Sequence, residues 1–212
     1  RRAPPAPGLP VGAVLTGVAA LEQGALYAVN AQPVSAARGE GGLERCLDPA
    51  HPMGRSFETV TRGLDDGATL AGIWLAGGQV WSTDSQAGRL VTFRDTLVAT
   101  PVPVSPENAA PGQPPDGTTI SWAPVAGATR YQWQLDYDGS FSSVPPGFEG
   151  ETAATEARLP ALQPGTRYQW RVRAIRPVLS RWSGRRSFTT LLGDPESPVR
   201  LLSPTAGATG VP

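Results

Sequence analysis

The chain has 212 residues, a formal net charge of zero, 25 glycines and 23 prolines. Balanced charge removes the electrostatic ground for nucleic-acid or anionic-membrane binding, and because all 18 basic residues are arginines, lysine-based covalent chemistry is excluded. Cys46 is the single cysteine, so no internal disulfide can form, and no stretch of the sequence reaches the ~18 apolar residues of a membrane span.

Glycine and proline punctuate short apolar runs, and no stretch of about a dozen residues holds a 3.6-residue period without one of them. That is an all-β signature, and the length suits two domains of about 100 residues each. Residues 1–12 read as a Pro-rich arm of polyproline type. A first β-sandwich domain is expected over 13–100. Its opening runs, 13–21 and 25–31, flank Glu22-Gln23-Gly24 as a hairpin. Residues 33–54 read as a long irregular loop holding Cys46 and the only histidine, His51.

A meander of four strands follows at 56–61, 68–75, 79–84 and 89–96. If Gly77-Gly78 is a two-residue turn, Trp74 stands opposite Trp81, and Ile73, Leu75 and Val80 point to the other face. This hairpin is apolar on both sides. One face can line the domain's core; the other needs a cover.

Pro-punctuated residues 100–106 open a second domain, expected over 101–191. Tyr131, Trp133, Leu135 and Tyr137 alternate with Arg130, Gln132, Gln134 and Asp136. Tyr168, Trp170, Val172 and Ala174 alternate in the same way with Arg167, Gln169, Arg171 and Arg173. Period-2 alternation on this scale means antiparallel strands with one buried face.

These residues carry a resemblance. Trp122, Tyr131-Gln132-Trp133, the run from Leu162 through Pro164 and Thr166 to Tyr168, and Trp170 to Ala174 resemble a fibronectin type III domain. The resemblance implies a second β-sandwich whose Tyr168 hydroxyl bonds back to the preceding loop. Trp122, Tyr131, Trp133, Tyr168, Trp170 and Trp182 are then structural residues. In some receptor members of the family Arg and Trp side chains stack alternately, which implies a stack of Trp182 with Arg171 or Arg173; an exposed basic stripe is the alternative. Residues 13–97 carry no such signature.

The last segment, 192–212, resembles the first strand of a further repeat. The run Ser203-Pro204-Thr205-Ala206-Gly207-Ala208-Thr209-Gly210 echoes Ser105-Pro106-Glu107-Asn108-Ala109-Ala110-Pro111-Gly112 at a spacing of 98 positions.

No constellation points to chemistry. One histidine allows neither a Ser-His-Asp triad nor a multi-histidine zinc site, and Asp136-Tyr137-Asp138 lacks the distal glutamate of a calcium loop. The expectation is a non-enzymatic protein with no catalytic, cofactor or metal site, found outside the cell or on its surface. It is expected to polymerise head-to-tail by β-strand addition into a filament or sheath, with copies of itself as partners. The expected interface residues are Val199, Arg200, Leu201 and Leu202 in the tail, Trp74 and Trp81 on the hairpin, and Val14 and Val18 behind the arm. The alternative is an adhesin or glycan-binding segment of a longer repeat array, with surface glycans or other cell-surface proteins as partners.

Overall fold

The computed structural model describes residues 8–21, 24–50 and 56–193. These residues build four sheets from fifteen strands, and no helix among them is long and apolar enough to cross a membrane. The chain is all-β, with two β-sandwiches in tandem; the expected C-terminal tail lies outside the described residues.

In the first sandwich, β1 (Leu15–Ala20), β2 (Leu26–Ser35), β3 (Glu40–Cys46) and β4 (Glu58–Val60) form one antiparallel sheet in sequence order. A second sheet holds β5 (Leu70–Ala76), β6 (Gln79–Asp84) and β7 (Arg89–Phe93). Residues 61–69 cross from the outer strand β4 to the start of β5. They are pinned on the way by Gly67 N–H donating to the Val34 carbonyl and Val34 N–H donating to the Ala68 carbonyl, each at 2.8 Å. Tyr27, Val29, Leu43, Val60, Leu70 and Val80 fill the space between the sheets.

Two expectations are corrected here. The segment read as an irregular loop over 33–54 contains the end of β2 and all of β3. Its glycines suggested turns, but Gly41 and Gly42 adopt φ of +71° and +85° inside the strand, and a Cβ on Gly41 would lie 2.4 Å from the Gln32 carbonyl. The expected four-strand meander is also divided, because β4 pairs with β3 and the second sheet begins at β5.

The expected hairpin turn is present. Gly77 and Gly78 take φ of +58° and +72°, both in the left-handed region a type I′ turn requires, and the register sets Trp74 against Trp81.

The second sandwich begins with β8 (Val102–Ser105) and β9 (Ala110–Gln113). Then come β10 (Thr119–Ala123), β11 (Arg130–Asp136), β12 (Glu149–Thr152), β13 (Glu156–Arg158), β14 (Arg167–Arg176) and β15 (Arg186–Thr190). One sheet has the order β13-β10-β8 and the other β12-β11-β14-β15-β9. Side chains alternate across both, so Trp122, Tyr131, Trp133, Tyr168, Trp170 and Phe188 meet in a single core. Burying an aromatic side chain of this kind contributes roughly 1.5–3 kcal/mol.

Candidate assembly surfaces

The two sandwiches are joined through a buried contact. Leu97, in the linker after β7, is 3% exposed and packs with Val125 and Val178 of the second sandwich and Leu47 of the first. Asp95 accepts the Tyr27 hydroxyl at 2.8 Å and Arg45 Nη1 at 2.6 Å, while Arg45 also pairs with Glu58. Burial and the Asp95 carboxylate push the Tyr27 hydroxyl far above its usual pKa. Thr96 Oγ1 donates to the Ala126 carbonyl at 2.8 Å. The linker is therefore held by side chains of both domains.

The outer face of the second sheet carries Ala71, Trp74, Trp81, Thr83, Leu90 and Thr92, placed on one side by the β5–β6 and β6–β7 registers. None of the six is charged. Trp74 is 41% exposed and Leu90 59% exposed, and Trp81 Nε1 donates to the Ala76 carbonyl at 3.2 Å. An uncharged sheet face with two tryptophans is what a docking surface looks like.

That sheet ends at β7, which has no strand on its outer side among the described residues. Beside it, between β7 and the end of β4, opens a groove of about 290 Å³ lined by Leu43, Val60, Leu64, Leu70, Val80 and Phe93. Arg62 and Arg89 also line it, and both are largely exposed.

The other expected interface residues are placed less simply. Val14 and Val18 are 53% and 61% exposed, but β1, which holds Val18, is paired along its length with the chain's own β2. Val18 therefore sits on a strand of the chain's own first sheet, one side of which is taken by β2. Val199, Arg200, Leu201 and Leu202 lie outside the described residues, as does His51. Cys46 is buried.

The second sandwich carries a stack on the face of its larger sheet. The Arg171 guanidinium lies 4.1 Å from the Phe141 ring centre and 4.2 Å from that of Trp182, and Arg173 sits 4.2 Å from Trp182 on the same ladder. Each arginine also donates twice to a glutamine on β11, Arg171 to Gln134 Oε1 and Arg173 to Gln132 Oε1. Burial, with the neighbouring Arg171 charge, brings the Arg173 pKa down to about 10.

Two serines aim the indole. Val172 N–H donates to Ser183 Oγ and Ala174 N–H to Ser180 Oγ, at 3.1 and 3.0 Å. The segment holding Trp182 is thus fastened along the edge of β14. The resemblance assigns Ser180-Arg181-Trp182-Ser183 to the seventh strand together with 187–190; the run instead precedes β15 and lies against β14.

Other motifs have local uses. Asp136 Oδ2 accepts Phe141 N–H and Asp138 Oδ1 accepts Ser140 N–H, both at 2.7 Å, so these carboxylates organise a turn. Gln163 N–H donates to the Tyr168 hydroxyl at 2.8 Å, the corner bond of this type of sandwich. A second such tie, Val125 N–H to the Tyr131 hydroxyl at 3.1 Å, had no sequence signal. Among the described residues no cluster of three or more His, Cys, Asp or Glu side chains is arranged to hold a metal.

No protein-family model matches the sequence, and no curated protein sequence is similar to it. The solved structures it resembles are fibronectin type III domains. FN3tt is 23% identical, covering 45% of this chain and 99% of that one, with a TM-score of 0.33. The fn3 domain of human collagen alpha-1(XX) chain is 26% identical over 49% of this chain and 97% of its own, with a TM-score of 0.36. The chicken CNTN1 FN1-FN3 domains are 15% identical over 84% of this chain and 65% of theirs, also with a TM-score of 0.36. At these scores the ground for a fibronectin type III fold is the strand order, the tyrosine corner and the core of residues 102–190 themselves.

Proposed function

We propose that this chain is a non-enzymatic structural module, found outside the cell or on its surface, whose copies join head-to-tail by β-strand addition into a filament or sheath. One observation carries the reading: the uncharged Trp74/Trp81 face borders a free sheet edge on a two-domain unit with a buried joint. A free edge of this kind takes up an extended strand through main-chain hydrogen bonds, and the apolar face beside it adds buried area. A contact between unlike surfaces generates an open fibre when its rotation does not close a ring.

Electron microscopy of the purified chain, with sedimentation over a range of concentrations, tests the proposal. Periodic fibres built on one copy of the chain support it. Particles that stay monomeric at every concentration refute it.

The second reading is an adhesin or glycan-binding segment of a longer array. It is favoured by the echo of residues 105–109 at 203–207, because β8, which ends at Ser105, is the edge strand that opens a type III sandwich. An intact polypeptide with a mass far above the 22.1 kDa of this chain, remaining monomeric, would favour it.

A further inference from the structure

Resting on the assembly reading above, we infer that the open edge of β7, over the groove it shares with β4, is the acceptor for residues 199–202 of a second copy, which complete the three-stranded sheet as its fourth strand.

The place is defined by a mismatch between facing sheets. One has four strands and the other three, and the groove opens beside the edge strand of the shorter sheet. The apolar lining from Leu43, Val60, Leu70 and Val80 belongs to the inter-sheet core, so an added strand would close that core. Leu90 on β7 is 59% exposed and would gain a cross-strand neighbour.

The donor fits by pattern, length and charge. In Val199-Arg200-Leu201-Leu202 the side chains of Val199 and Leu201 fall on one face of an extended strand, suited to an apolar groove. Pro198 and Pro204 bracket a segment as long as the five-residue β7. Asp194 and Glu196 precede it, opposite in sign to Arg62 and Arg89 at the groove, which within the chain pair with Glu58 and with Asp65 and Asp84.

Reach decides that the donor comes from another copy. β14 runs the length of the second sandwich, with Val178 beyond its end packed in the joint. At its other end Gly165 N–H donates to the Leu191 carbonyl, so the described chain finishes at the pole far from the first sandwich. Nine steps along β14 span about 30 Å. Six residues from Gly193 to Val199 reach at most roughly 20 Å, which falls short of the chain's own first domain. The donor is therefore supplied by another copy, the condition for head-to-tail growth.

Sedimentation velocity on the full chain and two variants tests this. Leu201→Asp spoils the donor and Val91→Asp, on the groove side of β7, spoils the acceptor. Each variant alone is expected to associate at least about thirtyfold more weakly than the parent chain. An equal mixture is expected to give dimers that grow no further, since each copy retains one intact half. Because Val91→Asp perturbs a packed strand, Leu201→Asp, outside the described sandwiches, is the control whose melting curve should match the parent chain. A Leu201→Asp chain that assembles like the parent overturns the donor assignment and leaves the polymer proposal standing. A parent chain that never assembles overturns both.

Discussion

Replacing Trp182 with alanine should cost the second sandwich about 3.5–4.5 kcal/mol. The indole is half-buried between two guanidinium groups at 4.2 Å each. At partly exposed sites a cation–π contact contributes roughly 0.5–1 kcal/mol, so the pair supplies about 1–2. Half of an indole's 150–250 Å², taken as ~100 Å² at ~25 cal/mol per Å², adds about 2.5 kcal/mol. Urea unfolding followed by circular dichroism would read the loss, and thermal unfolding should drop by about 10 °C for a chain of this size. Arg171→Met and Arg173→Met keep the aliphatic stems while removing the charges. Each should therefore lower stability less than Trp182→Ala, and in its background should cost only what the bonds to Gln134 or Gln132, and for Arg171 the Phe141 contact, contribute. A loss below about 1 kcal/mol for Trp182→Ala would refute the stack as a stabilising element.

Three further outcomes follow from the geometry. Tyr168→Phe removes the acceptor of the Gln163 N–H at a partly buried corner and should destabilise by about 0.5–1.5 kcal/mol in urea titrations, with an unchanged circular dichroism spectrum. Arg45→Leu strands the Asp95 carboxylate, which is 2% exposed, and should cost about 3–5 kcal/mol; doubling it with Asp95→Leu should recover part of that loss. Burial holds the Glu44 carboxyl above its usual pKa against the opposing bonds from Asn30 and Thr59. Its contribution is fully present below the ordinary carboxylate pKa and is lost as pH rises through the raised value. Glu44→Gln should therefore gain on the parent chain as pH rises above about 4; a stability difference that does not change with pH there would contradict the assignment.

How much of this the sequence showed depended on the range of the interaction. Strand β6 falls on residues 79–84 as expected, because Gly77-Gly78 fixes the turn and the turn fixes the register. Trp170 and Tyr168 were readable because strict alternation leaves only one face for the core. Strand β3 was not, since Gly39, Gly41 and Gly42 imitate a loop and its buried Glu44 and Arg45 imitate a surface. Those two charges are buried because Asn30 and Thr59 satisfy one, and Glu58 and Asp95 the other, from elsewhere in the chain. The β7 groove was invisible for a different reason. It arises from the difference in strand number between two facing sheets, which no local pattern encodes.

The linker around Leu97 has a mechanical consequence. With Asp95 tied to Arg45 and Tyr27 on one side and Thr96 to Ala126 on the other, the two sandwiches share one lever arm and cannot pivot without breaking the Thr96 bond and opening the buried Leu97 contact. Torque applied to one sandwich is carried into the other. Any curvature of a string of such units must then be generated where one copy meets the next, so the bending stiffness of the whole would be set by a few residues at each seam.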